Sequence, residues 1–253
     1  MRLTALPAFE DNYVWALAAS GGVIVVDPGQ ARPVLNAAAQ GLRPAAILIT
    51  HHHGDHVDGV PELLAHWPEL PVYAPLDERL NFPYLAVTEG KPLEVAGSTF
   101  RVIAVPGHTR THVAYTGEGV LFCGDALFSL GCGRMFEGTP SQMLASLKRL
   151  AALPSDTQIC CGHEYTLSNA HFALQVDPLN AALQRRQQEA LAMRHADRPT
   201  LPISLQSELA TNPFLRTRDT QICRAIGTRL GREARDEVEV FAELRRWKDD
   251  FHA

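Results

Sequence analysis

The reading of this chain turns on one stretch, Ala45-Ala46-Ile47-Leu48-Ile49-Thr50 running directly into His51-His52-His53-Gly54-Asp55-His56. The first half is a short apolar run with the β-branched character of a buried strand. The second half sets four imidazoles and a carboxylate within six residues. Side chains alternate along an extended segment, so His51 and His53 point one way, and Asp55 and His56 follow at the start of the next helix. Imidazole and carboxylate donors at this spacing have the chemistry of a metal site.

Three further apolar runs end in the same way. Phe100 to Val105 leads through Pro106-Gly107 to His108, Val120 to Cys123 through Gly124 to Asp125, and Gln158 to Cys161 through Gly162 to His163. Ligand sites in α/β sheets form where the carboxyl ends of strands meet loops, so these four ends are expected to converge. The donors then number five imidazoles and two carboxylates. A catalytic zinc takes three protein ligands and keeps a position open, so this set suits two divalent ions: zinc, with iron or manganese as alternatives. Asp27, ahead of Pro28-Gly29, reads as a turn former. His52, His66, His112, His171, His195 and His252 read as ordinary hydrogen-bonding residues.

Composition bounds the rest. The chain has 253 residues, 46% of them apolar, and a formal net charge of −5, enough for one large core or two modest ones. The acidic excess argues against nucleic acid as the main partner. The apolar runs fall far short of the ~20 residues that span a bilayer, and the amino terminus lacks the apolar stretch of a signal peptide, so a cytoplasmic address is expected. Five cysteines without a Cys-x-x-Cys pair give neither a disulfide framework nor a thiolate zinc site.

Short strands alternate with helices at Ala31 to Gln40, Val57 to His66 and Pro140 to Leu150, the pattern of an α/β layered fold. Beyond about Thr166 strand-like runs disappear. Helical spacing takes over at Asn180 to Arg194, Thr217 to Leu230 and Glu233 to Phe251, with Val240, Phe241, Leu244, Trp247 and Phe251 on one stripe. Two domains are expected, a metal-binding catalytic domain over 1–165 and a helical domain over 166–253. The first carries a net charge of −6 and the second +1.

Thr50 to His56, followed by a single His, an Asp and a last His, resembles the metallo-β-lactamase superfamily. Phe122-Cys123-Gly124-Asp125-Ala126-Leu127-Phe128, Gly131 to Gly138, Cys161 to Thr166, Asn212-Pro213-Phe214-Leu215-Arg216 and Arg245 to Phe251 are similar, within it, to the glyoxalase II (hydroxyacylglutathione hydrolase) family. The resemblance implies a four-layer αβ/βα metallo-β-lactamase sandwich with a smaller C-terminal all-helical domain that holds glutathione. It implies one metal on His51, His53 and His108, the other on Asp55, His56 and His163, and Asp125 bridging. It also implies that Arg134, Phe136, Tyr165, Arg245 and Lys248 contact the glutathionyl part. Asp58 and Thr111 stand where the family commonly has Gly, and Phe136 lacks the hydroxyl of a Tyr found in some members.

The implied activity is hydrolysis of S-(2-hydroxyacyl)glutathione thioesters, above all S-D-lactoylglutathione, in methylglyoxal detoxification. No side chain is expected to be the nucleophile; a hydroxide bridging the metals fills that role. A thiol of pKa ~8.5 leaves as thiolate without a dedicated acid. Arg245 and Lys248, three apart on one helix face, would present cations to a glutathione carboxylate. The bland alternative is a solvated basic face. The rival functions are a mononuclear iron persulfide dioxygenase, against which the helical tail and second ligand set argue, and a non-catalytic metal-binding protein. The chain is expected to act as a monomer on a small-molecule glutathione thioester, without nucleic acid or membrane partners.

Overall fold

The computed structural model describes residues 3–251; His252 lies outside them. Strands β1 (Leu3–Ala8), β2 (Asn12–Ala19), β3 (Gly22–Val26), β4 (Pro44–Leu48), β5 (Val72–Pro75) and β6 (Leu85–Val87) form a six-stranded sheet in that order. The first three pair antiparallel and β3 to β6 run parallel. Parallel neighbours need crossover connections, supplied by α1 (Ala31–Ala39) and by α2 (Gly54–Val57) with α3 (Val60–His66).

The second sheet is built on an antiparallel meander of β7 (Pro92–Val95), β8 (Ser98–Ala104), β9 (Val113–Gly117) and β10 (Val120–Gly124). The residue pairs β11 (Leu127–Phe128) and β12 (Gly131–Cys132) make a small hairpin of their own. Strand β13 (Gln158–Cys161) then extends the second sheet beyond β10.

The remaining chain carries α4 (Pro140–Ala151), α5 (Thr166–Val176), α6 (Ala181–His195), β14 (Ile203–Ser204), α7 (Leu205–Thr211), α8 (Thr220–Leu230) and α9 (Glu237–Asp249). Two compact units result. One takes the chain up to Val105 with Thr111–Gly124 and Cys160–His163; the other takes Pro106–Arg110, Asp125–Ile159 and everything from Glu164 onward.

In the first unit, Val25, Ile47, Ile49 and Val72 of the first sheet pack with Ala31 and Val34 of α1 and with Val60 and Leu63 of α3. Each buried Val, Leu or Ile side chain among them contributes about 1.5–3 kcal/mol. The Tyr115 hydroxyl donates to the Ile49 carbonyl at 2.7 Å, joining β9 to the end of β4. The sequence predicts one helix over 57–66, but the structure breaks it at Asp58-Gly59. The Gly59 N–H donates to the Pro28 carbonyl at 3.0 Å, and a Cβ on Gly59 would lie 2.5 Å from Pro28, Gln30 and Ala31 backbone atoms. The helix yields there to a close approach of two backbones.

In the second unit, α4 begins with a full capping box, Thr139 and Gln142 exchanging hydrogen bonds. Its last helix lays Phe241 against Phe214, which stacks on Phe172, and Trp247 meets Phe172 edge-on. Helices α6, α8 and α9 fall where sequence periodicity puts them, with α9 starting at its Asp236 cap. Helix α5 escapes that periodicity because its buried face includes polar Thr166 and Asn169 while apolar Leu167 and Leu174 lie off it, half-buried, which blurs the amphipathic stripe in the sequence. Short α7 was also not expected, nor was β14, which pairs with β13 although no strand was expected past Thr166. Among the described residues no helix is long and apolar enough to cross a membrane.

Candidate metal centre and a second-unit pocket

In the first unit the strand ends meet at backbone level. The Gly162 N–H donates to the Gly124 carbonyl at 3.1 Å, the Val113 N–H to the Thr50 carbonyl at 3.0 Å, and the Tyr13 N–H to the Gly162 carbonyl at 2.8 Å. Gly124 has φ +46, and a Cβ there would lie 2.3 Å from the Thr50 hydroxyl, so only glycine fits this close approach.

The imidazoles are oriented through their Nδ1 atoms. His56 Nδ1 lies 3.0 Å from Asp27 Oδ2 and His163 Nδ1 2.8 Å from Asp11 Oδ1. A carboxylate only accepts, so both Nδ1 atoms carry the proton and both Nε2 lone pairs face inward. His51 Nδ1 lies 3.0 Å from the Thr50 hydroxyl. That hydroxyl donates to Asp27 Oδ2 at 2.7 Å and therefore accepts from His51.

The inward atoms crowd one another. Asp55 Oδ2 is 3.3 Å from His163 Nε2 and 3.7 Å from His56 Nε2. His51 Nε2 is 3.2 Å from His53 Nδ1. Where two of these atoms both present lone pairs they repel unless a proton or a metal cation lies between them, and at the His51–His53 contact a His53 Nδ1–H donating to His51 Nε2 also satisfies the pair. Bonds of about 2.0–2.1 Å to a tetrahedral ion place neighbouring ligand atoms about 3.4 Å apart, so the donor set fits a metal. Asp55, His56 and His163 each offer an atom within 4.8 Å of the others, as do Asp27, His51 and His56. Asp27 already accepts from the Thr50 N–H at 2.8 Å, from the Thr50 hydroxyl and from His56. It reads as a support under the ligands.

In the second unit, His108 Nδ1 lies 2.8 Å from the Arg134 carbonyl, and His108 Nε2 lies 3.5 Å from Asp125 Oδ2. These two line a pocket of about 400 Å³ whose walls also include Arg134, Phe136, Tyr165, Arg245 and Lys248. All five residues expected to contact glutathione thus share one cavity with two expected metal ligands. Arg245 is buried, 4% exposed, which removes the reading of a solvated basic face. Its guanidinium donates to the Cys132 carbonyl at 2.7 Å and to Asp249 at 3.0 Å, while its Nε is buried without a hydrogen-bond partner. Burial, with the charges of Arg245 and Arg134 nearby, pushes the Lys248 ammonium down to about 8. The lysine lies over the rings of Phe172 and Phe251.

The sequence reading missed Asp27, Asp11 and Asn12. Asp27 is 4% exposed and sits at φ +51, a conformation that Asp tolerates better than most residues. Its place at the end of a strand opposite the His cluster was the available signal. His52, set aside above, turns to Asp77 Oδ2 at 3.5 Å, and His112 stacks on His51 with ring centroids 4.6 Å apart. Of the positions that depart from the family, Asp58 caps α2, Thr111 donates to Asp77 at 2.5 Å, and the Phe136 ring meets His108 edge-on at 5.3 Å.

The fold and this cluster of candidate ligands point to a class that the comparisons establish. Residues 9–163 match the family model described as Metallo-beta-lactamase superfamily, and residues 164–251 match Hydroxyacylglutathione hydrolase C-terminus. A relative named hydroxyacylglutathione hydrolase from Xanthomonas euvesicatoria pv. vesicatoria is 64% identical over 255 residues, covering all of both chains. Another of that name, from Xylella fastidiosa (strain M23), is 63% identical and covers 99% of this chain and 98% of its own length. The chain belongs to the hydroxyacylglutathione hydrolase family. Among solved structures, the BLEG-1 B3 metallo-beta-lactamase shares the fold, with a TM-score of 0.62 at 24% identity over 85% of this chain and 99% of that one. ETHE1 from Myxococcus xanthus gives 0.59 at 28% identity over 65% and 76%.

Proposed function

We propose that the chain hydrolyses S-(2-hydroxyacyl)glutathione thioesters, S-D-lactoylglutathione foremost, to the hydroxy acid and glutathione, the hydrolytic step of methylglyoxal detoxification. The observation that carries this reading is the single pocket that holds His108 and Asp125 together with Arg134, Arg245 and Lys248. It pairs metal-ligand chemistry with three cations suited to a tripeptide bearing two carboxylates.

His51, His53 and His108 would hold one divalent ion and Asp55, His56 and His163 the other, with Asp125 shared; zinc is proposed, and these donors also accept iron or manganese. When bound, such ions supply a water nucleophile at neutral pH and polarise the carbonyl. The protein's own residues do the rest. Arg245 and Lys248, with Arg134 at the rim, hold the glutathionyl carboxylates, and Phe136 and Tyr165 wall the pocket. Water oxygen adds to the acyl carbon, the C–S bond breaks, and sulfur leaves as thiolate, which needs no side-chain acid. We read the enzyme as a cytoplasmic monomer without nucleic acid or membrane partners, with a helical domain from about residue 166.

The test is loss of thioester absorbance with S-D-lactoylglutathione, before and after chelation and metal return. Metal-dependent hydrolysis is expected. Its absence, or oxygen uptake with glutathione persulfide in its place, overturns the assignment.

A further inference from the structure

The turn between β1 and β2 reaches the candidate site at two ligands. Asp11 Oδ1 accepts the Nδ1–H of His163 at 2.8 Å. Asn12 Nδ2 donates to Asp55 Oδ2 at 3.0 Å and to the Asp55 carbonyl at 3.2 Å. The first contact fixes the His163 tautomer so that the Nε2 lone pair is the one presented, and the second fixes the rotation of the Asp55 carboxylate. The turn itself is pinned. Phe9 has φ +49 and its N–H donates to Gln30 Oε1 at 2.9 Å. Asn12 is 7% exposed and bridges to His163 in backbone register.

We propose that Asp11 and Asn12 are positioning residues for the ion held by Asp55, His56 and His163, and for that ion specifically. The inference rests on the binuclear reading above. His51 and His108 are oriented by other groups, Thr50 and the Arg134 carbonyl, so loss of Asp11 or Asn12 leaves those orientations in place. The family's ligand pattern assigns neither residue a role at the metals.

The test uses the full chain, stripped of metal and titrated with Zn²⁺ against a chromophoric chelator, and then with Co²⁺ to follow the visible spectrum. Wild type is expected to take up two equivalents. Asp11→Asn and Asn12→Ala are expected to keep one with little change and to bind the second about 10–100-fold more weakly, with part of the Co²⁺ spectrum missing. Melting of the metal-free variants checks folding. The Asp11 side chain is 40% exposed, so its variant should melt with wild type even if Asn12→Ala does not. If wild type holds two ions and Asp11→Asn holds both unchanged, or loses both alike, the inference is overturned and the binuclear reading stands. If wild type holds fewer than two, both are overturned.

Discussion

Asp27 Oδ2 lies 3.0 Å from His56 Nδ1 and takes the Thr50 hydroxyl hydrogen bond on the same oxygen. One buried carboxylate therefore orients His56 directly and His51 through Thr50. Replacing Asp27 by Ala should weaken metal binding about 10–100-fold. It also strands the buried Thr50 N–H, at a cost of about 1–3 kcal/mol. Metal titration and urea unfolding of the metal-free variant measure the two effects separately. Unchanged metal affinity would refute this role.

Asp125→Asn keeps the shape of the side chain and removes its charge. If Asp125 is shared between two ions, metal content and turnover should fall together, as read by metal analysis and thioester hydrolysis on one preparation. A variant with two ions and a normal rate would exclude Asp125 from the centre.

Arg245→Ala removes a cation from the pocket wall and leaves the Cys132 carbonyl without its 2.7 Å donor. KM for the glutathione thioester is expected to rise about tenfold or more, with a smaller change in kcat. A loss of about 1–3 kcal/mol in stability accompanies it from the stranded carbonyl. An equal KM would take Arg245 out of substrate binding.

Lys248 titrates near 8 in the folded protein because it is partly desolvated among other cations. The charged form predominates below that pH and is lost above it, so anion binding weakens as pH rises through 8. The pH profile of kcat/KM, which reports the free enzyme, should therefore decline on its alkaline side. Lys248→Arg, whose charge persists, should move that decline upward. A profile identical in both proteins would show that Lys248 does not meet the substrate.

Glu208 is fully buried, and burial holds its carboxyl above the ordinary range. It accepts from Ser129, from the Leu130 N–H and from Asn212, at 2.8, 2.8 and 2.9 Å, and so anchors the β11–β12 hairpin that lines the pocket. Glu208→Ala should cost about 2–4 kcal/mol by stranding these donors, and Glu208→Gln, which keeps one acceptor oxygen, should cost less. Chemical denaturation ranks the two; equal stabilities would refute the network's role.

Much of the site was legible because the residues that carry it are punctuated. Each expected ligand follows an apolar run and, at His108, Asp125 and His163, a glycine; these runs became β8, β10 and β13. The supports were not legible for the opposite reason. Asp11, Asn12 and Asp27 reach their imidazole and carboxylate partners across 152, 43 and 29 residues, and no local pattern encodes such distances. Strand β1 hid behind its Pro7, tolerated because β1 is the sheet's edge. The break in the 57–66 helix arises from Gly59 meeting the backbone ahead of α1, which no helical periodicity records.

The hydrogen bond from His163 to Asp11 also bears on how the chain folds. It joins residues 152 apart, so folding is what brings His163 to Asp55 and His56, and the three donors are not assembled in the unfolded chain. An ion held by Asp55, His56 and His163 would therefore bind the native state more tightly than the unfolded chain, in which only the His51 to His56 run keeps donors close together. By mass action it would add at most about 2.7 kcal/mol at a free concentration a hundred times its dissociation constant. The protein's resistance to unfolding then becomes a gauge of the free metal around it.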